Sequence, residues 1–123
     1  MWRSGLLVLM LLSNRGAAAA AECAKNKQVV ASCYQVRGRV RFNANMRPYL
    51  WPVGTKRLLG VALQSDAPDA GYFWPDNLAK MTSLETDVFG DFLVCPFTSK
   101  KPGRMQMVCI ESASHLIAKP NIH

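Results

Sequence analysis

Four cysteines follow an N-terminal stretch with the features of a secretory signal, and this combination constrains the fold more than any other feature of the 123-residue chain. Arg3 supplies a positive charge, residues 6–12 form a short apolar run, and alanines 17–21 supply the small residues of a cleavage site. A chain exported through such a signal enters an oxidising compartment, where thiols pair as disulfides. The sequence therefore predicts a signal peptide at 1–21 and a single disulfide-stapled domain at 22–123.

The charge balance predicts the kind of partner. Removal of the signal takes away Arg3 and Arg15 and no acidic residue, so 13 Lys and Arg remain against 8 Asp and Glu, and the net charge falls from +7 to +5. A basic surface favours anionic partners, and we expect an anionic envelope polymer or another envelope protein rather than nucleic acid. The apolar run is far shorter than the roughly 20 residues of a membrane span. We therefore expect a periplasmic or extracellular chain with no stable membrane span.

The cysteines allow three disulfide pairings. Two strand-like segments flank a loop of turn-forming residues, and a hairpin symmetric about Pro102 places position 95 opposite position 109. Directly opposed side chains lie close enough for a bridge, which favours Cys95–Cys109 together with Cys23–Cys33 and leaves the two other pairings open. Because the spacing contains no C-x-x-C, we expect structural disulfides rather than a zinc site, and we expect no metal and no cofactor.

Period-two alternation predicts the strands. Residues 34–42 alternate apolar side chains with arginines, and residues 56–63 place three apolar side chains on one face. Residues 47–53 contain two prolines and suit an edge strand, because proline cannot donate to a ladder. The segments 91–97 and 105–111 form the last hairpin.

The remaining segments contain little regular structure. Residues 64–75 are rich in Asp, Pro and Gly, after which Asp76 can N-cap a helix of about two turns. We expect the tail, 112–123, to fray. The whole pattern predicts an all-β fold, a small antiparallel β-sandwich of five to seven strands with one short helix. The alternative is an OB-type barrel in which segment 64–84 supplies a capping helix.

Two fragments resemble known families. The order V-x-G-x-V at 36–40 and T-D-x-x-G-x-F at 86–92 resembles prealbumin-like β-sandwich modules, which include transthyretin-like and carboxypeptidase regulatory-type domains. This resemblance implies that the first fragment opens the first strand and that the second forms a tight turn whose Phe enters the core. Residues 54–61, 90–92 and 94–96 are similar to small secreted bacterial proteins of unknown function, which implies a bacterial envelope setting and no particular activity.

The main candidate site is a stripe of arginines on the first strand. Alternate residues of a strand stand on one face, about 6.6–6.8 Å apart, so the three arginines form a row suited to an anionic envelope component. The alternative is a solvated face screened by Asp87, Asp91 or Glu111 on neighbouring strands. The candidate binding residues are Arg37, Arg39, Arg41, Arg47, Trp51, Lys56 and Arg57.

An enzyme is not expected. His115 lies near two serines, but the chain has no G-x-S-x-G motif, and Asp87 and Asp91 are interpreted as turn residues. We therefore expect a non-enzymatic secreted binding or structural module. The alternative is a small envelope enzyme or inhibitor with a site near residues 64–91, which an open polar cleft around these aspartates and His115 would favour.

Overall fold

The structure is a computed structural model that describes residues 23–121, so the signal peptide predicted at 1–21 lies outside the described residues. The elements follow in the order β1 (Tyr34–Phe42), β2 (Pro48–Pro52), β3 (Leu59–Val61), α1 (Asp76–Ala79), β4 (Thr86–Pro96) and β5 (Gln106–Pro120). The predicted all-β class with one short helix is confirmed. Within the described range, no helix is long and apolar enough to cross a membrane.

The strands close into a barrel in the order β1-β2-β3-β5-β4. Every neighbouring pair is antiparallel except β3 and β5, which are parallel, with Leu59 opposite Gln106 and Val61 opposite Val108. The architecture is thus the OB-type barrel alternative rather than two packed sheets. Closure is possible because β5 has 15 residues, enough to pair with β3 at its start and with β4 along its length.

Alternate strand residues point inward and fill the barrel. On β1 the buried positions are Val36, Gly38 and Val40, between outward-facing arginines. A Cβ on Gly38 would lie 2.6 Å from Leu50 Cδ1 and 2.7 Å from the Trp51 carbonyl oxygen, so only glycine fits there. The largest fully buried side chains of the core are Phe92, Leu50, Leu59, Leu78 and Ile110.

Three local predictions were wrong. The segment 47–53 is no edge strand, because β2 pairs with both β1 and β3, and its two prolines lie at the ends of the strand. Residues 86–92 form the first half of β4 instead of a turn, and 112–120 extend β5 instead of fraying. These two stretches pair with each other, and that contact carries no local signal in the sequence.

The short helix lies where the sequence places it, but it has four residues, about one turn instead of the expected two, and its N-terminus also differs from the prediction. Pro75 occupies the N-cap position, no side chain caps the helix, and Asp76 is its first residue. Proline suits this end because the first backbone N–H groups of a helix have no partner within the helix. Leu78 is fully buried and holds the helix against the barrel.

The predicted disulfide connectivity was also wrong. Cys95 and Cys109 are directly opposed on β4 and β5, as the hairpin symmetry requires, but the bonds are Cys23–Cys109 and Cys33–Cys95. The N-terminal segment packs against the last hairpin, where the Val30 N–H donates to the Pro96 carbonyl at 2.9 Å. This packing brings Cys23 and Cys33 close to Cys109 and Cys95. Two disulfides fit an oxidising, non-cytoplasmic compartment.

Candidate functional site

Two loops meet at one end of the barrel because β3 and β5 are parallel. Parallel strands begin at the same edge, so the loops that precede them, residues 53–58 and 97–105, lie side by side. Between them is a groove of about 590 Å³, which we call the basic groove. Its lining consists of Lys56, Arg57, Leu58, Lys100, Lys101, Pro102, Gly103, Arg104, Met105 and Gln106.

The basic groove carries five cationic side chains and no acidic one: Lys56, Arg57, Lys100, Lys101 and Arg104. Four are exposed, and Arg57 is half-buried. Within residues 23–121, none of the five forms a salt bridge. Like charges gathered on two loops raise the local positive potential, which attracts anions.

Gln106 fixes the floor of the basic groove. Its side chain is buried, and its Oε1 accepts hydrogen bonds from the Tyr34 hydroxyl at 2.9 Å and from Arg57 Nη2 at 3.1 Å. Its Nε2 donates to the Thr98 carbonyl at 3.1 Å. One amide therefore joins β1 to both loops and holds the Arg57 guanidinium in place.

The disulfides brace the same end of the barrel. Cys95 and Cys109 lie close to the two ends of the loop 97–105, and each is bonded to the N-terminal segment. Together with the glutamine network, these bonds keep the loop anchored on both sides. Cys23, Cys95 and Glu111 also gather within 4.8 Å, but both sulfurs are in disulfides and are unavailable as thiolate metal ligands.

The arginine stripe (Arg37, Arg39 and Arg41) faces outward from β1, as the alternation predicts. Arg41, however, is paired with the buried Asp87 through two hydrogen bonds, Nε to Oδ1 at 2.7 Å and Nη2 to Oδ2 at 2.6 Å. The hydrogen bond to Asp87 favours the charged guanidinium and holds the pKa of Arg41 above its ordinary value. This arginine is committed to a structural ion pair.

The other two arginines of the stripe also have partners. Arg37 Nη2 lies 3.3 Å from Asp91 Oδ1, with 79% of the Arg37 side chain exposed. Arg39 lies over the ring of Trp51, with 4.8 Å from its guanidinium carbon to the ring centroid. Acids of β4 thus lie beside Arg37 and Arg41, whereas Arg39 lies beside aromatic side chains.

A second concavity, the outer trough, lies on the outer face of the barrel beside the arginine stripe. It has a volume of about 290 Å³ and is lined by Arg37, Gly38, Trp51, Val53, Phe89, Gly90, Asp91, His115 and Ile117. In it, His115 Nδ1 lies 3.0 Å from Asp91 Oδ2. His115 and one of the aspartates of the enzyme alternative, Asp91, therefore lie together in the outer trough.

The remaining predicted site residue, Arg47, lies apart from both the basic groove and the outer trough. Arg47 is exposed at the turn between β1 and β2, where its N–H donates to Asn43 Oδ1, and it is at the opposite end of β2 from Lys56.

A further groove of about 480 Å³ beside residues 62–66 contains a single titratable side chain, Asp66.

Sequence reasoning missed the larger part of the basic groove. By local pattern alone, Lys100, Lys101 and Arg104 belong to a turn-rich loop. The one available signal is that residues 98–105 carry three cations and no acid, and this signal points to a site only when Lys56 and Arg57 lie beside them.

Comparison of the chain with family models, with curated proteins and with solved structures finds no match.

Proposed function

We propose that this protein is a secreted, non-enzymatic binding module that recognises an anionic component of the bacterial envelope through the basic groove. The observation that carries the proposal is the gathering of five cations from two loops without a single carboxylate in the lining. The expected partner is still an anionic envelope component, but loop residues contact it instead of the arginine stripe on β1.

The cost of clustering these cations supports an anionic ligand. Charges of one sign at close range repel, and nearby carboxylates usually offset that repulsion, as Asp87 does for Arg41. In the basic groove a bound phosphate or carboxylate would supply the missing counter-charge. Arg57 is already oriented by Gln106, so its planar guanidinium is prepared for bidentate contact with such a group.

The shape of the basic groove supports a polymer or another extended ligand. It is open, and Leu58 and Met105 line it with about two-fifths to one-half of their surfaces exposed. Cations beside apolar side chains suit a ligand that carries repeated anionic groups on a partly apolar backbone. The lining contains no His, Cys, Asp or Glu, so it supplies no group suited to general acid–base catalysis near pH 7.

Two double variants with the same net charge test the proposal. Lys100→Ser/Lys101→Ser removes two cations from the basic groove, whereas Arg47→Ser/Lys80→Ser removes two exposed cations elsewhere on the protein. Binding of the oxidised domain to heparin and to polyphosphate is measured by titration across a salt series. The slope of log K against log salt counts the released counterions, so the groove variant should lower its magnitude by about 2.

The control separates a site from a general charge effect. We expect Arg47→Ser/Lys80→Ser to weaken polyanion binding far less, because its two cations lie outside the basic groove. Equal losses in the two variants would show that binding follows net charge alone and would refute the proposed site.

A further inference from the structure

The outer trough has two chemically different walls because of strand register. Trp51 and Phe89 flank Arg39 on β2 and β4, and Phe89 is opposite Ile117 on β5, so these side chains form one row across the outer face. The next row contains Arg37, opposite Asp91, with His115 beside them. The trough therefore has an aromatic and aliphatic wall facing a wall of hydrogen-bonding groups.

A β-bulge builds the polar wall. Between the pairs Phe89–Ile117 and Asp91–Ser114, β4 has one residue and β5 has two, and His115 adopts a positive φ of 54°. Regular alternation would turn one of Ser114 and His115 inward, yet both are exposed. Bulges re-aim side chains and are frequent beside functional sites. Here the bulge brings the imidazole to the carboxylate of Asp91.

The aromatic wall is held in position. The Trp51 Nε1–H donates to the Thr55 carbonyl at 2.7 Å, and the guanidinium of Arg39 lies over the same ring. Phe89 has the Lys119 ammonium 5.4 Å from its ring centroid. Side chains restrained in this way lose little conformational entropy when a ligand packs against them.

These walls match the two surfaces of a neutral sugar. A pyranose ring with equatorial hydroxyls has an apolar C–H face and a polar edge. The carboxylate of Asp91 accepts hydrogen bonds, the guanidinium of Arg37 donates them, and a hydroxyl does both. Arg37 and Asp91 carry opposite charges, so this pair adds no net charge to the polar wall. The trough volume of about 290 Å³ is sufficient for a group the size of one ring.

We infer that the outer trough is a carbohydrate-binding site that takes one pyranose ring, with equatorial hydroxyls, of a neutral polysaccharide. The C–H face of the sugar packs on Trp51 and Phe89, and its hydroxyl edge meets Arg37, Asp91 and His115. The site is independent of the basic groove, and the loop 53–58 separates the two, with Val53 lining the trough and Lys56 lining the groove.

The test is an NMR titration of the ¹⁵N-labelled oxidised domain with cellohexaose, chitohexaose and maltohexaose. Residues 22–123 contain two tryptophans, so the indole signals are those of Trp51 and Trp74. Trp74 packs against Phe42 and Tyr72, away from the trough. We expect at least one of the three oligomers to shift the Trp51 indole and leave the Trp74 indole unchanged. The expected dissociation constant is about 1 mM, since a one-ring site gains little free energy.

Matched variants confirm the location. Ile117→Ser removes an apolar side chain of the trough that is 57% exposed, and Leu84→Ser removes one of similar exposure, 54%, elsewhere. We expect Ile117→Ser to weaken binding about threefold and Leu84→Ser to leave it unchanged. Trp51→Ala should weaken oligosaccharide binding about fivefold or more. Its amide spectrum is recorded as well, to check that the variant is folded.

Three results would overturn the inference. The first is an unshifted Trp51 indole with all three oligomers at about ten times the expected dissociation constant. The second is equal affinity of the Ile117→Ser and Leu84→Ser variants. The third is a dimer in sedimentation that Ile117→Ser dissociates, which would assign the face to a second copy of the chain. Because Lys100→Ser/Lys101→Ser should retain full oligosaccharide binding, failure of this inference is distinguishable from failure of the basic groove.

Discussion

The ion pair between Arg41 and Asp87 provides the sharpest test of which arginines are structural. The Asp87 side chain is 8% exposed and the Arg41 side chain 27% exposed. In Asp87→Asn the amide keeps the size of the side chain, but its nitrogen cannot accept, so the guanidinium loses its charge partner and at least one hydrogen bond. Removing one partner of a buried pair costs about 3–5 kcal/mol, and partial exposure of Arg41 lowers this to about 2–4 kcal/mol.

The assay is urea unfolding of the oxidised domain, followed by circular dichroism, with thermal unfolding beside it. A loss of about 2–4 kcal/mol corresponds to a decrease in Tm of about 10–25 °C for a domain of this size. The matched control is Arg37→Gln, which breaks the pair with Asp91 where the arginine is 79% exposed. An exposed pair contributes at most about 1 kcal/mol to stability, so the free energy of unfolding of Arg37→Gln should be close to that of the wild type.

A double variant separates loss of the pair from general damage. In Arg41→Gln/Asp87→Asn no buried charge remains uncompensated, so part of the stability lost in Asp87→Asn should return. If the free energy of unfolding of Asp87→Asn lies within about 0.5 kcal/mol of the wild-type value, with an unchanged m-value, the ion pair contributes little to stability. Arg41 would then return to the candidate binding residues.

Two further outcomes test the fold directly. Non-reducing peptide mapping should yield a peptide that joins Cys23 to Cys109, and a peptide that joins Cys95 to Cys109 would contradict the fold described for the N-terminal segment. Gly38→Ala should destabilise the domain by about 1–3 kcal/mol in the same urea titration, because the new Cβ would meet the Trp51 carbonyl. The control is Gly71→Ala, where the nearest atom to the new Cβ is 4.0 Å away, and it should change stability by less than about 0.5 kcal/mol.

Local pattern was sufficient for part of the fold. The alternation of residues 34–42 predicts β1 and its outward arginines, and the symmetry of the last hairpin predicts the register that places Cys95 opposite Cys109. Both depend on residues close together in sequence. The disulfide partners of these cysteines are 62 and 86 residues away, and their choice depends on how the N-terminal segment packs on the finished barrel. No spacing within the chain contains that information.

The same distinction explains why the candidate site was only partly predictable. In a closed barrel every strand has a neighbour on each side, so an outward cation on a strand lies beside cross-strand residues, and for Arg37 one of these is Asp91. A cation in a loop has no such partner, and Lys100 and Lys101 form no salt bridge with any described residue. The period-two pattern that makes the arginine stripe conspicuous therefore also places Arg37 and Arg41 beside carboxylates of β4, whereas Arg39 lies over the Trp51 ring. The five cations of the basic groove lie on loops brought together by the parallel pairing of β3 and β5, and this pairing leaves no periodic signal in the sequence.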